Sequence, residues 1–174
     1  VTVASNTGTT AGGGIYAIGG TTSLANSLFA ANGTGVGASV GGTGGITNAG
    51  GNLCWPTGTC NVTPAITYAD PLLGTLGAYV GTTPVLPLLP GSNAIDAGTS
   101  GNCLATDQRG VARTPATCDS GAFEARGFSV TLLSGNGQST PAGNAVSLPL
   151  RVTVAGTAPD PVAGGTVTFA GPLT

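Results

Sequence analysis

Residues 1–54 repeat with a period of about 25, and this repetition limits the possible folds more than any other feature of the chain. VASNTGT at 3–9 aligns with FAANGTG at 29–35, 26 residues later, and NSLF at 26–29 aligns with GNLC at 51–54, 25 residues later. A period in the twenties is typical of a solenoid in which each repeat forms one coil. Short apolar runs between glycine-rich turns are typical of short strands. We therefore predict an all-β chain that begins as a three-sided parallel β-helix, with stacked strands about 4.8 Å apart.

The repeats also predict which positions point inward and which form corners. The residues expected to point inward are Val1, Val3, Ile15, Ile18, Leu24, Leu28, Val36 and Val40. We assign the corners to Gly12–Gly14 and Gly41–Gly42, because glycine tolerates positive φ and close backbone approach. Asparagines at equivalent positions, Asn6 with Asn32 and Asn26 with Asn52, are predicted to stack as amide ladders.

Residues 1–69 contain no charged residue, which argues against several functions known for solenoids. Calcium-binding rolls need an aspartate in every repeat, and the first aspartate here is Asp70. Ice-binding solenoids need a regular Thr-x-Thr array, but Gly33 and Gly35 stand one repeat after Thr7 and Thr9. A polysaccharide lyase or glycosidase would need acidic groups on a coil face. The net charge of −2 does not favour binding to nucleic acid or to an anionic membrane.

Six of the ten charged residues lie between Leu86 and Glu124: Asp96, Asp107, Arg109, Arg113, Asp119 and Glu124. One interpretation is catalytic, with paired carboxylates and an arginine electrophile. The interpretation that we favour is structural, because no histidine or lysine base accompanies these groups. In that interpretation ion pairs fix a turn-rich cap over the end of the solenoid. Their members would be Asp96, Asp107, Arg109, Arg113 and Glu124. We predict no catalytic residue, no metal and no cofactor.

The four cysteines suggest disulfides and an oxidising compartment. Three connectivities are possible, and we favour the two local ones, Cys54 with Cys60 and Cys103 with Cys118. Zinc is a weak alternative, since the spacings are not those of zinc fingers and the chain has no histidine. No apolar run is long enough to span a membrane. The sequence has no initiator methionine and no signal peptide, so we expect a processed or partial chain.

Three submotifs around the charged stretch resemble a known closing segment. LLPGSNAIDAG, then CLATDQRG, then CDSGAFE are similar to the end of exported bacterial right-handed parallel β-helix proteins of the choice-of-anchor type. The upstream GNLC and DPLLGTLG fit that pattern as well, whereas Asn93 and Thr99 depart from it. The resemblance implies a secreted or surface protein with a β-helical body, and it implies no catalytic activity.

Between the repeats and the charged stretch, residues 53–85 are expected to connect the solenoid to its cap. CWPTGTC is predicted to form a disulfide-closed loop that exposes Trp55. Proline and glycine then alternate with short apolar groups, which suits irregular strands laid over the last coils to cover their edges. Asp70 before Pro71 is interpreted as a turn residue, in preference to a metal ligand.

The chain changes character after residue 126, which divides it into predicted domains 1–126 and 127–174. Period-two alternation in the second part predicts antiparallel strands, and its carriers are Val130, Leu132, Leu148, Leu150, Val152, Val154, Val167 and Phe169. The pattern is similar to the opening of an invasin-type bacterial immunoglobulin-like domain, covering about half of such a sandwich. We expect the missing strands to come from a continuing chain or from another chain by β-augmentation.

These patterns together predict a non-enzymatic, extracellular structural or adhesive component of a bacterial cell surface, as a subunit or segment of a fibre, filament or sheath. Self-association or continuation into further domains is the expected partnership. The alternative is a carbohydrate-binding or carbohydrate-cleaving module that would use Trp55, Tyr16, Tyr68 and the acidic cluster at 107–124. Two sequons, at Asn32 and Asn61, leave glycosylation open.

Overall fold

A computed structural model describes residues 1–9, 12–33 and 40–170 of the chain. Within these ranges the secondary structure is all-β apart from one 3-10 turn at Ser100–Asn102, which confirms the predicted class. The strands are β1 Thr2–Ala4, β2 Ile15–Ala17, β3 Thr21–Leu24, β4 Leu28–Ala30, β5 Val40–Gly42, β6 Gly45–Asn48, β7 Leu53–Trp55, β8 Thr67–Tyr68, β9 Phe128–Ser134 and β10 Arg151–Gly156. Val36, predicted to point inward, lies outside the described residues.

Strands β1 to β8 pair in parallel in three small sheets, ordered β1-β4-β7-β8, β2-β5 and β3-β6. The paired residues lie about one sequence repeat apart. Thr2 pairs with Leu28 and Leu28 with Leu53 in the first sheet. Ile15 pairs with Val40, and Thr21 with Gly45, in the other two. The sequence separation between paired residues is shorter for the last two strands of the first sheet, β7 and β8, where Leu53 pairs with Thr67.

The parallel strands bury two apolar clusters, one on each face of β4. Phe29 belongs to the first cluster, together with Leu24, Val40, Ile46, Cys54, Cys60, Val62 and Ile66. The flanking residues of β4, Leu28 and Ala30, belong to the second, together with Leu53, Val85, Leu88, Ala94 and Phe123. Alternate side chains of a strand point to opposite faces, so β4 is buried on both sides because the segment 85–94 covers its second face.

This arrangement corrects three of the residues expected to point inward. Leu28 is buried, but on the face opposite to Phe29, beneath the covering segment. Ile18 is 79% exposed because Ile15 and Ala17 contact the first cluster, which leaves Ile18 out of phase and beyond the end of β2. Val1 is also exposed, since it precedes β1. Val3, Ile15, Leu24 and Val40 do contact the first cluster.

Gly42 ends β5 where two backbones approach closely. A Cβ atom on Gly42 would lie 2.0 Å from the carbonyl oxygen of Ala17, and its φ of +134° disfavours any other residue. Gly41, also predicted as a corner, lies inside β5 instead. Gly12 has a φ of +51° in the bend before β2.

The described part of the second segment contains one antiparallel pair of strands, β9 and β10. Leu148 and Leu150 precede β10, and Val167 and Phe169 lie outside strands, so the further strands expected there are not formed. Val130 and Leu132 are 59% and 48% exposed. Several contacts link this segment to the cap, among them Thr166 N, which donates to Pro90 O at 2.7 Å, and Asp160, which faces Arg109. The division at residue 126 stays a prediction.

Candidate functional site

The cap places its charged side chains in a turn that Asp107 organises. A bridge between Thr106 and Ala112 closes this turn. Inside it, Asp107 Oδ1 accepts hydrogen bonds from the backbone N–H groups of Arg109 and Val111, at 2.8 and 3.0 Å. The second oxygen, Oδ2, accepts from Glu124 N at 3.0 Å. The Asp107 carboxylate therefore fixes both this turn and the segment around Glu124, which follows Cys118.

Arg109 lies at the centre of the charged cluster and is fully buried. Its guanidinium contacts Asp107 Oδ2 at 2.8 Å and Asp160 Oδ1 at 3.3 Å. It also donates to Glu124 O at 2.6 Å and lies 3.6 Å above the centre of the Phe123 ring. The planar guanidinium suits this arrangement, since it can serve two carboxylates, a carbonyl and an aromatic face together.

Arg113 and Glu124 form a second buried pair, with 2.7 Å between Nη1 and Oε2. Arg113 also donates to the carbonyl groups of Asp119 and Gly121, at 3.0 and 2.7 Å. Glu124 in turn accepts from the backbone N–H groups of Thr114 and Asp119. These bonds tie both arms of the cap together, so the pair holds backbone that has no regular hydrogen-bond ladder.

Burial and charge shift two carboxyl pKa values in opposite directions. Burial would raise the pKa of Asp107, but hydrogen bonds from Glu124 N and from Arg109 outweigh it and hold this pKa below its ordinary value. Burial raises the pKa of Asp119 to about 7. The negative charges of Glu124 and Asp96 add to that rise, against the backbone hydrogen bonds from Asp96 and Ala125.

The structure brings together four of the five residues predicted as cap ion pairs, and Asp96 is the exception. Asp96 is exposed, has a φ of +55°, and makes no ion pair among the described residues. Its backbone N–H instead donates to Asp119 Oδ1 at 2.9 Å. The expectation that Asp96 neutralises an arginine is therefore wrong, since its side chain is exposed and only its backbone N–H joins the cluster.

Asp160 and Arg126 are members of the cluster that the sequence did not reveal. Asp160 is buried beside Arg109, and its Oδ2 accepts from Arg126 N at 2.6 Å. Arg126 also reaches Ala158 O with its guanidinium. Asp160 lies 51 residues after Arg109, so no local spacing could have indicated the contact. Its position between two prolines, in APDP, marks only a turn.

Most of the ion-paired side chains of the cluster are buried and already hydrogen-bonded. The side chains of Asp107, Arg109 and Asp160 have no exposed surface, and those of Arg113 and Glu124 are 6% exposed. Each carboxylate is occupied by a guanidinium or by backbone N–H donors. Among the described residues no three acidic, cysteine or histidine side chains lie where they could hold a metal ion. The arrangement serves to fix backbone.

Both disulfides join the cysteines that are close in sequence, Cys54 with Cys60 and Cys103 with Cys118. The second disulfide lies against the parallel strands through Asn26. The Asn26 side chain accepts from Thr99 N at 2.7 Å and donates to Thr99 O and to Cys118 Sγ. Asn26 therefore contacts the cap and does not stack on Asn52, whereas Asn6 and Asn32 do join, with 3.0 Å between Nδ2 and Oδ1.

Trp55 lies apart from the charged cluster, beside a groove of about 240 Å³. It ends β7, where the register places Ala30 and then Ala4 on the neighbouring strands. Ser5, Asp70, Pro71, Leu73 and Leu86 also line the groove. Trp55 is 37% exposed and Ser5 is exposed, while Asp70 is half-buried.

The two tyrosines grouped with Trp55 in the sequence do not line this groove. Tyr68 packs against the first cluster, and its hydroxyl donates to Cys60 O at 2.5 Å, so it closes the short loop of the first disulfide. Tyr16 is 42% exposed on β2. Of the two sequon asparagines, Asn32 is buried with its carboxamide hydrogen-bonded, whereas Asn61 is exposed.

No family model, curated protein or solved structure matches the chain. Among the described residues there is no helix with the length and apolar character needed to cross a bilayer.

Proposed function

We propose that the chain is a non-enzymatic structural and adhesive component of an extracellular surface, built as a short right-handed parallel β-helix with a cap. The observation that carries this proposal is the common displacement of the parallel pairs. Three different sheets join residues 24–26 apart. The strands follow the same order in each repeat, β1-β2-β3 and then β4-β5-β6. A chain that returns to the same three sheets in the same order winds about an axis, and parallel crossovers are nearly always right-handed.

The third coil supports this interpretation because it tapers. Isolated bridges continue the second and third sheets, from Val40 to Cys60 and from Thr47 to Thr63. In the first sheet the return takes only 14 residues, from Leu53 to Thr67. The loop between Cys54 and Cys60 lies within this short coil. A narrowing last coil, followed by a cap, covers strand edges that would otherwise recruit other chains.

Mechanical resistance follows from how the coils are joined. Parallel ladders and asparagine side chains connect each coil to the next or to the cap, and the two disulfides close loops within the last coil and within the cap. Solenoids of this kind distribute load over many equivalent contacts between neighbouring repeats. The charged cluster is buried, and the first 69 residues carry no charge, so neutral surfaces can pack side by side with little repulsion.

The exposed apolar side chains of β9 and of the segment before β10 support a partner for the second segment. Val130, Leu132 and Leu133 on β9 are each about half exposed or more, and Leu148 and Leu150 lie beside them in sequence before β10. Apolar surface of this extent marks an interaction site. Strand addition by a second copy or by further chain would cover it. The two disulfides suit an oxidising extracellular setting.

Cross-linking between coils tests the β-helix directly. Ser23 on β3 and Thr47 on β6 are exposed register partners, so the variant Ser23→Cys/Thr47→Cys should form a third disulfide under mild oxidation. The matched control is Ser23→Cys/Thr63→Cys, because Thr63 lies one coil further on and its Cα is about 9–10 Å from that of Ser23. Peptide mapping by mass spectrometry identifies the bonds. Equal cross-linking of both variants, or of neither, contradicts the coil.

Electron microscopy and activity assays test the role. The oxidised protein should form ordered assemblies or confer adhesion when displayed on a cell. It should release no reducing ends from polysaccharides. A strictly monomeric, non-adhesive particle, or a measurable polysaccharide-cleaving activity, would overturn the proposed role even if the coil is correct.

A further inference from the structure

The structural role proposed above does not involve the side chains that line the groove beside Trp55. The floor of this groove consists of small side chains, since Ala4 and Ala30 are register neighbours of Trp55. Ala30 is 4% exposed, and because alanine has no side-chain rotamers, its side chain cannot move to deepen the groove. The opposite wall is apolar and comes from the segment that follows β8, with Pro71, Leu73 and Leu86. Trp55, which is 37% exposed, thus lines the same groove as these small and apolar residues.

Three polar groups line the same groove without a hydrogen-bond partner among the described residues. They are the indole Nε1–H of Trp55, the hydroxyl of Ser5 and the Oδ2 atom of Asp70. The other carboxylate oxygen of Asp70 accepts from Leu72 N at 2.9 Å, which fixes the side chain in place. Together these groups offer one donor, one group that both donates and accepts, and one acceptor.

We propose that this groove is a binding subsite for a neutral saccharide. A sugar ring presents an apolar C–H face and a rim of hydroxyl groups, which match an aromatic side chain and a few fixed polar groups. The volume lies below that of pockets for drug-sized ligands, and it therefore suits one or two sugar units. None of the described residues that line the groove is cationic, and the Asp70 carboxylate would repel uronic acids or sialic acids. The proposal goes beyond the structural role and rests on the groove alone.

Ligand binding to this groove can be measured by tryptophan fluorescence. Trp55 is the one tryptophan of the chain, so its fluorescence reports this groove without other contributions. The oxidised protein should be titrated with neutral hexasaccharides of glucose, mannose, galactose and N-acetylglucosamine. Oligogalacturonate and a proline-rich peptide serve as comparison ligands. We expect a saturable change with at least one neutral sugar and none with oligogalacturonate.

Substitutions then assign the binding to the groove. Asp70→Asn keeps the oxygen that accepts from Leu72 N, and it should weaken sugar binding about tenfold by removing the charged acceptor. Ser5→Ala should weaken it less. Trp55→Ala, followed by calorimetry, should abolish measurable binding. Tyr16→Ala is the matched control, since Tyr16 is an exposed aromatic residue elsewhere, and it should leave binding unchanged.

Clear outcomes overturn the proposal. No saturable response to any neutral sugar at millimolar concentration would do so, as would unchanged binding in both Asp70→Asn and Trp55→Ala. A response to the proline-rich peptide alone would assign the groove to a peptide and overturn the saccharide. If Trp55→Ala fails to fold, Asp70→Asn and Ser5→Ala still decide the matter. Cross-linking between coils is unaffected by any of these results, so the two proposals fail separately.

Discussion

Asn32 and Asn52 make the same pair of hydrogen bonds, each to a turn about one repeat earlier in the chain. Asn32 Oδ1 accepts from Asn6 N at 3.1 Å, and its Nδ2 donates to Val3 O at 2.8 Å. Asn52 Oδ1 accepts from Ser27 N at 2.8 Å, and its Nδ2 donates to Leu24 O at 2.6 Å. Both side chains are 3% exposed, so water cannot replace them. Each carboxamide therefore fixes the turn of the preceding repeat by two hydrogen bonds.

Replacing Asn52 by alanine should lower the free energy of unfolding by about 1–3 kcal/mol, because the buried Ser27 N would lose its hydrogen-bond acceptor and Leu24 O would keep, within the described part of the chain, only the bond from Ala49 N. Chemical denaturation measures the loss. Asn61→Ala is the control: Asn61 is exposed and its side chain makes no hydrogen bond among the described residues, so the change should stay within about 0.5 kcal/mol. Similar effects from the two substitutions would show that the hydrogen bonds of the Asn52 carboxamide do not stabilise the fold.

Replacing Arg109 by alanine should cost about 3–5 kcal/mol of stability, because the buried Asp107 would lose its only cationic partner among the residues that the structure describes and Asp160 would keep only Arg126, at 3.7 Å. Arg151→Ala provides the comparison, since Arg151 is exposed on β10 and should change stability by less than about 0.5 kcal/mol. Thermal unfolding followed by calorimetry distinguishes the two. If Arg109→Ala were as mild as Arg151→Ala, the buried cluster would not hold the cap.

The raised pKa of Asp119 predicts that the cap loses stability as the pH rises from about 4 to about 7. In that window the folded state retains a proton that the unfolded state has released, so the free energy of unfolding falls with increasing pH. Asp107 acts in the opposite sense, but only as the pH falls below about 4, because its pKa is lowered. Denaturation at several pH values measures the slope.

A direct titration of Asp119 by carboxyl ¹³C NMR should give a midpoint near pH 7. Asp96→Asn should lower that midpoint, because it removes a neighbouring negative charge while asparagine tolerates the positive φ at this position. An Asp119 midpoint near 4, or a value that Asp96→Asn leaves unchanged, would contradict this account of the cap.

Removing the second disulfide with Cys103→Ala/Cys118→Ala should cost about 3 kcal/mol, as expected for a loop of this length. The first disulfide closes a shorter loop, and Cys54→Ala/Cys60→Ala should cost about 2 kcal/mol from loop closure. Packing losses add to both values, since Cys54 and Cys118 are buried. Unchanged stability in either double variant would mean that its cross-link does not constrain the unfolded chain.

The sequence predicted the features that depend on neighbouring residues or on a regular period. The displacement of about 25 residues between repeats reappears in the parallel register, and glycine-rich turns between short apolar runs gave short strands. Asn6 and Asn32 meet because a repeat brings equivalent positions together. The local cysteine pairs are joined, as their spacing favoured.

The 25-residue period does not predict the contacts that the repeats make with the cap and with the covering segment. Asn26 and Asn52, predicted to stack, are one residue out of register because Leu28 pairs with Leu53, and Asn26 instead contacts Thr99 and Cys118 of the cap. Leu28, predicted to point inward, lies on the face opposite to Phe29, since the covering segment gives β4 a second apolar face.

The amino-acid sequence by itself determined the all-β character, the repeat length and the cysteine pairs, because each depends on local preference or on a constant spacing. Only the tertiary structure decided that Asp160 joins Arg109, that Asp96 stays outside the cluster, and that Ser5 and Asp70 share a groove with Trp55. These contacts link residues from 15 to 65 positions apart through irregular backbone. Such contacts follow no period, so they form only when packing brings distant turns together.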